Sequence, residues 1–531
     1  MKTLIKVPSD GLAGLKQNWS ADMFSGFLVF LLALPLSLAI ARASEFPPAM
    51  GVLTAMVGGL LVSPFAGSRL TIKGPATGLI TICSGAVLEF GGGEKGWHLA
   101  CGVIVVTAAI QIIFGFLKFG SLSDFFPLPA VHGMLTAIGI IIIGKEVPIL
   151  LGASSLAKGL SPIELYLHFP QFIANTNPRV ALIGVMSLIM IFGFPYLSPL
   201  FKKVPSPLFV LVIMIPLGVY LDLKNTATGA LVSMGDFWSN IGLNASFKSV
   251  GNIVFWKYVV MFLFVSSLES LLTVKAIDGL DPWKRKSNYN KDLSALGAGN
   301  GISGLLGGLP MISEVVRSGA NVNFGARTVW ANFFHGFFLF AAMLLMIPAI
   351  ELIPNAALAA MLIYAGYRLA SQKSFTNTYK TGLEQLVIFL VTIIVTIAED
   401  LMVGILAGIV VNLILHLFNG ARFRNLFKAD FGMIGNDDEY TMVVCGAAIF
   451  SNYLGFKKAW SQVPPSLTFV IDFSCAKLVD HSFMEQLHYF IEEYVSQGGR
   501  VIVDGLQDFH RFSDHPFAAR KSVRESEFKS V

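Results

Sequence analysis

Residues able to do chemistry in this 531-residue chain concentrate between Leu268 and Thr328. Glu269 sits inside an apolar run, where a carboxylate is costly unless it has a partner or a task. Arg317 stands about one turn into a short segment opened by Gly307-Gly308-Leu309-Pro310. A helix that starts within a membrane offers free N–H groups and the positive end of its dipole, and a guanidinium beside them adds a fixed charge; together they suit an anion. A matching start lies at Gly74-Pro75, where only about 15 apolar residues precede Gly91-Gly92-Gly93, short for a full crossing. The candidate anion contacts are Ala76, Thr77 and Gly78 on one segment, with Thr81 a turn beyond, and Ile312, Ser313, Glu314 and Arg317 on the other. Glu269, with Thr273 a turn further on, is the candidate for carrying a proton or helping to hold Na⁺. A buried ion pair with Arg317 or a lysine is the competing explanation of Glu269. Glu314 would repel an anion unless protonated or paired, and its place stays open.

These segments need a scaffold, and composition says which kind. The chain is 54% hydrophobic and only 13% charged, too apolar for an ordinary soluble protein. Apolar runs of roughly 18–22 residues recur along it, the length that spans a bilayer. The first is expected over Asp22–Ala41, with Asp22 as helix N-cap and Pro35 inside; others follow at 50–65, 98–117, 127–145, 180–200 and 206–222. Counted with the two short segments, spans at 254–274, 293–307, 329–349, 352–369, 383–399 and 401–418 bring the total to about fourteen. Seven and seven, with the second set starting from the opposite side, is an inverted repeat, and each short segment follows its repeat's start by roughly 55 residues. Lys and Arg gather in alternate loops, including Arg69 with Lys73, Lys202 with Lys203, and Lys284 to Lys286, which predicts cytosolic termini. The N-terminus has no signal-peptide pattern. The net charge of +5 reads as topology rather than nucleic-acid binding. His132, alone on an apolar face, reads as packing, and Asp400 as a helix-end residue.

After Arg422 the composition turns soluble, from Asp437-Asp438-Glu439 onward. Strands are predicted at Thr441–Val444, Leu467–Phe473 and Arg500–Val503, with a helix from His481 to Ser496 ended by Gly498-Gly499. This is a small α/β domain with no phosphate loop and no nucleophile–His–acid set, so docking or regulation is expected rather than catalysis, and no enzyme or cofactor is predicted. Cys83, Cys101, Cys445 and Cys475 lack metal or redox spacing; neither a disulfide framework nor a bound metal is expected, Na⁺ near Glu269 apart.

In order along the chain, several motifs resemble the SulP family of anion transporters (solute-carrier family 26 in animals). They are Asp22 with Pro35, Gly74-Pro75-Ala76, Leu268-Glu269-Ser270, Asn290-Lys291-Asp292-Leu293, Gly307-Gly308-Leu309-Pro310 with Arg317-Ser318, Gly325-Ala326-Arg327-Thr328, Ile353-Pro354-Asn355, and Asp400-Leu401-Met402-Val403-Gly404. The tail is similar to a STAS domain. The resemblance implies a polytopic α-helical membrane protein of fourteen segments, arranged as core and gate in a 7+7 inverted repeat. Residues 21–420 would form the transporter, with repeats over about 21–222 and 254–420, after a cytosolic stretch 1–20; a cytosolic STAS domain would span 437–531. It further implies a substrate site between segments three and ten, a homodimer, Glu269 at the coupling position, an unknown cytosolic partner of the STAS domain, and residence in the plasma membrane (the inner membrane of a bacterium). Sulfate, bicarbonate, chloride or dicarboxylate is the implied substrate class, moved with H⁺ or Na⁺ or by exchange. Pro35-Leu36-Ser37 departs from the sulfate-type Pro-Gln and tilts the expectation toward bicarbonate. In anti-sigma-antagonist relatives the position of Ser482 can be phosphorylated; here it follows Asp480-His481 and precedes Phe483. The competing class is a membrane sensor or scaffold signalling through the tail.

Overall fold

The computed structural model describes residues 7–120, 127–157, 159–194, 206–226, 229–235, 237–435 and 439–523. Contacts divide the chain into two compact units, residues 1–123 with 138–368, and residues 124–137 with 369–531. Lys202, Lys203, Asp437 and Asp438 lie outside the described residues, and the span expected at 180–200 is described as a helix to Gly193.

Helices α1 (Gly11–Ala43) and α2 (Pro48–Phe65) lead into strand β1 (Ile72–Pro75) and, through a single tight turn at Thr77–Leu79, into α3 (Ile80–Glu89). Then come α4 (Gly93–Phe116), α5 (Leu128–Leu150), α6 (Pro178–Gly193) and α7 (Ser206–Tyr220). The order then recurs: α8 (Ile253–Leu280), α9 (Tyr289–Leu305), β2 (Met311–Glu314) and α10 (Val315–Asn323). After these follow α11 (Trp330–Leu345), α12 (Asn355–Leu369), α13 (Leu383–Ala398) and α14 (Leu401–Phe418). Among the described residues six helices (α1, α2, α4, α5, α8 and α14) are long and apolar enough to cross a membrane, and five more are apolar but shorter.

Local chemistry sets many of the starts. Asn252 and Asn288 cap α8 and α9 by accepting from Val254 N (3.0 Å) and Lys291 N (3.0 Å). Asp400 caps α14 through Val403 N, as a helix-end residue should. Asp22 does not cap its own helix, because α1 continues eleven residues further back to Gly11. Its buried carboxylate accepts instead from Arg327 N (2.7 Å), Thr328 N (3.1 Å) and Thr328 Oγ1 (2.5 Å), holding the turn that precedes α11. Glycines let helices approach closely: a Cβ on Gly26 of α1 would meet Ala331 O at 2.6 Å, and Gly59 of α2 lies on Gly336 of α11.

The second unit holds α13, α14, the first turns of α5 and the α/β domain. Its elements are β3 (Phe431–Gly435), β4 (Glu439–Ala448), α15 (Tyr453–Trp460), β5 (Thr468–Val479), α16 (His481–Ser496), β6 (Arg500–Asp504), β7 (Phe509–Arg511) and β8 (Arg520–Ser522). β5 is central, parallel to β4 and β6 and antiparallel to β8. Trp460, Phe456, Phe483 and Phe490 pack the core between sheet and helices, with Trp460 stacked on Phe490 at 4.5 Å. Asp480 caps α16 through Phe483 N (2.6 Å), also accepts from Phe450 N (2.8 Å), and lies 3.4 Å from His416 Nε2 of α14. Burial pushes its carboxyl up to about 7 against the pull of those two donors. Ser482 is buried, its hydroxyl accepting from Leu128 N (3.3 Å). Cys445 and Cys475 correct the cysteine reading: they face one another across β4 and β5, 4.6 Å apart at Cα, and are joined as a disulfide. Strand register made the neighbours, which spacing along the chain did not announce.

Candidate anion site at a strand crossing

Where two opposed helix starts were expected, two short strands meet first. β1 and β2 pair antiparallel, Ile72 opposite Glu314 and Pro75 opposite Met311, so irregular backbone from both halves of the chain finds its partners in the other half. The helices begin only beyond them, at Thr77 and Val315. The N–H groups of Ile312 to Glu314 therefore belong to a strand rather than to a helix start, and that of Ser313 is taken by Ser270 Oγ (3.0 Å). At the other end Ala76 is buried, and Thr77 is half-buried in the tight turn.

Glu269 and Gly78 are in contact. A Cβ on Gly78 would stand 1.9 Å from Glu269 Oε1, so the carboxylate rests on the glycine backbone. Glu269 is buried, its Oε1 has no hydrogen-bond partner, and no ion pair to it occurs among the described residues. The ion pair with Arg317 or a lysine is thus not formed. Thr273 is buried a turn along α8. Glu314 itself caps α10, accepting from Arg317 N (2.6 Å).

Arg317 is 1% exposed. Its Nη1 donates to Ser37 Oγ of α1 (3.3 Å) and lies where a Cβ on Gly74 would be 2.8 Å away. Nε and Nη2 have no partner. Leaving buried donors unpaired costs about 1–3 kcal/mol each, so this guanidinium carries a cost that the protein's own groups do not offset.

Sequence reasoning assigned Lys73 to an inner loop. It is instead fully buried on β1, opposite Ser313. Its ammonium donates to Asp292 Oδ1 (3.0 Å) and Oδ2 (3.2 Å) and to the hydroxyls of Ser68, Thr71 and Ser313 at 3.0–3.1 Å. Asp292 also accepts from Gly67 N, Ser68 N and Ser68 Oγ. Gln111 and Asn300 extend the framework: Asn300 Nδ2 donates to Gln111 Oε1 (2.9 Å), and Asn300 Oδ1 accepts from Met311 N (2.6 Å). A lysine directly before Gly74-Pro75, and an aspartate early in α9, were the available signals for this pair.

The geometry defines a class: a helical membrane protein with two interrupted segments crossing beside an unpaired carboxylate and an unpaired guanidinium. The sulfate permease family model matches residues 20–392, and the chain belongs to that family. It is 24% identical over 367 residues to the putative sulfate transporter YvdB of Bacillus subtilis (strain 168), covering 68% of this chain and 66% of that protein. To the bicarbonate transporter BicA of Picosynechococcus sp. it is 25% identical over 356 residues, covering 66% and 62%. The chain thus spans a little under two thirds of the length of these relatives. The transmembrane domain of a cyanobacterium bicarbonate transporter BicA superposes with TM-score 0.63 at 22% identity, over 74% of this chain and 98% of that one. The overall structure of SLC26A9 does so with TM-score 0.65 at 13% identity, over 97% and 90%. The fold is therefore that of SLC26 transmembrane domains with a small C-terminal α/β domain, consistent with STAS.

Proposed function

We propose that the protein is a secondary active transporter of small inorganic anions, of the bicarbonate or sulfate class, coupled to Na⁺ or H⁺. The observation that carries this is the buried Arg317, held by Ser37 against Gly74 with two donors left open beside the strand crossing. The anion would lie there, between the turn at Ala76–Gly78 and the start of α10, with Arg317 as its fixed charge. Glu269, partnerless on Gly78, would take the proton or help hold Na⁺. Ile312 and Ser313 then line the site as a strand, and Glu314 sets the start of α10. Names of relatives support both substrate classes, sulfate for YvdB and bicarbonate for BicA. Transporter residues 21–420, a cytosolic STAS domain at 437–531, cytosolic termini and a homodimer in the plasma membrane complete the proposal.

The test is uptake of labelled bicarbonate and labelled sulfate into proteoliposomes, each with and without an inward Na⁺ or H⁺ gradient. Bicarbonate uptake that needs Na⁺ makes Glu269 a cation-site residue; sulfate uptake driven by H⁺ makes it a proton carrier. Glu269→Gln is expected to fold and to lose gradient coupling. Unchanged Na⁺ and pH dependence in that variant would sink the assignment.

A further inference from the structure

Outside the residues placed above, one buried imidazole keeps an open nitrogen. His335 of α11 is fully buried, and its Nε2 has no hydrogen-bond partner. Its protonation pattern follows from its neighbours. Asn332 Nδ2 donates to Gly58 O (3.2 Å), an atom that can only accept. That orients Asn332 Oδ1, also only an acceptor, toward His335 Nδ1 at 3.3 Å. Nδ1 therefore carries the ring proton, and Nε2 presents a bare lone pair.

Arg317 and His335 are both buried. The two residues border the same stretch of α2. Ala55 packs beside Gly74, against which Arg317 Nη1 lies, while Gly58 anchors Asn332 and Gly59 touches Gly336 next to His335. Ala55, Gly58 and Gly59 fall within one turn of α2, so the buried Arg317, with two open donors, and the buried His335, with one open acceptor, are packed around neighbouring positions of that helix.

We propose that His335 is a specificity-determining residue that selects an anion carrying one hydroxyl. The guanidinium donates to the anion's bare oxygens, and Nε2 accepts its O–H. This inference rests on the transport-site reading above and names the substrate class within it: singly charged hydrogen-oxyanions, of which bicarbonate is the planar case. Sulfate, nitrate and chloride have no proton to give and leave Nε2 unpaired. A site built to bond a hydroxyl rejects analogues that lack it more strongly than an apolar pocket does.

Bicarbonate and nitrate make the sharpest comparison, being alike in shape and charge and differing in the hydroxyl. Dissociation constants for both are measured calorimetrically on the intact protein in detergent at about pH 8, where bicarbonate is the main species, with proteoliposome uptake measured separately. Wild type is expected to favour bicarbonate by roughly tenfold to a hundredfold, the worth of one buried hydrogen bond left unmade. His335→Phe keeps a ring and removes the lone pair; the ratio should fall toward one through weaker bicarbonate binding, with nitrate little changed. His335→Gln returns an acceptor and should recover part of the preference. A wild-type ratio near one overturns the inference whether or not any variant folds, and so does an unchanged ratio in a folded His335→Phe. Selective binding without uptake would leave the inference standing and refute transport; uptake without selectivity would do the reverse.

Discussion

Replacing Lys73 by methionine keeps the length of the side chain and deletes its charge. Asp292 would then retain Gly67 N and Ser68 N at 3.0 Å and Ser68 Oγ at 2.7 Å, but lose its only counter-charge among the described residues, at a site where it is 1% exposed. Removing one member of a buried ion pair costs about 3–5 kcal/mol, because an uncompensated charge stays behind. Asp292→Asn is the mirror case: the ammonium keeps three hydroxyl acceptors and loses the carboxylate. The double variant buries no net charge, so its cost should fall short of the sum of the singles by about 2 kcal/mol or more. The four proteins can be compared by unfolding free energy in mixed micelles and by the dissociation constant for bicarbonate. Ser313 pairs with Lys73 across the crossing strands, so anion affinity should fall in each single variant and partly return in the double. A Lys73→Met protein within about 0.5 kcal/mol of wild type, or strictly additive costs, would refute the claim that this pair fixes the crossing.

Gly78→Ala would put a methyl group 1.9 Å from Glu269 Oε1, so either the carboxylate or the turn must shift, at about 1–3 kcal/mol. Gradient-driven uptake should fail as it does for Glu269→Gln, whereas Gly301→Ala, with its nearest contact at 3.6 Å, should behave as wild type. In the C-terminal domain, burial holds the Asp480 carboxyl at about 7, against 3.8 when unfolded, so the folded state binds the proton more tightly. The sign follows: stability is full below about pH 4 and falls as pH rises to about 7, by up to ~4 kcal/mol at about 1.4 kcal/mol per pKa unit. Asp480→Asn should flatten that slope, read from hydrogen exchange at the Phe483 amide it caps; an unchanged slope would rule out Asp480 as its source.

Periodicity and punctuation carried the architecture because they act locally. Apolar run length marked the spans, Gly74-Pro75 and Gly308-Leu309-Pro310 marked the interruptions, and the helix from His481 to Ser496 was legible to the residue. What escaped was decided by pairing across the chain. Lys73 reads as a loop cation until β2 supplies Ser313 and α9 supplies Asp292, residues more than two hundred positions away. Asp22 reads as a cap until the turn at Arg327-Thr328 arrives to take its oxygens. The same holds for Leu36: the departure from Pro-Gln was visible, but not that Ser37, one residue on, reaches Arg317 from the same helix. These three misses each concern a polar group whose partner lies in the other half of an inverted repeat, whereas the Cys445–Cys475 pair was hidden by strand register within the C-terminal sheet. In such a fold, residues that look expensive in one dimension are the ones that fasten the halves, and Glu269, Arg317 and His335 are among those that keep an unpartnered polar atom once the halves meet.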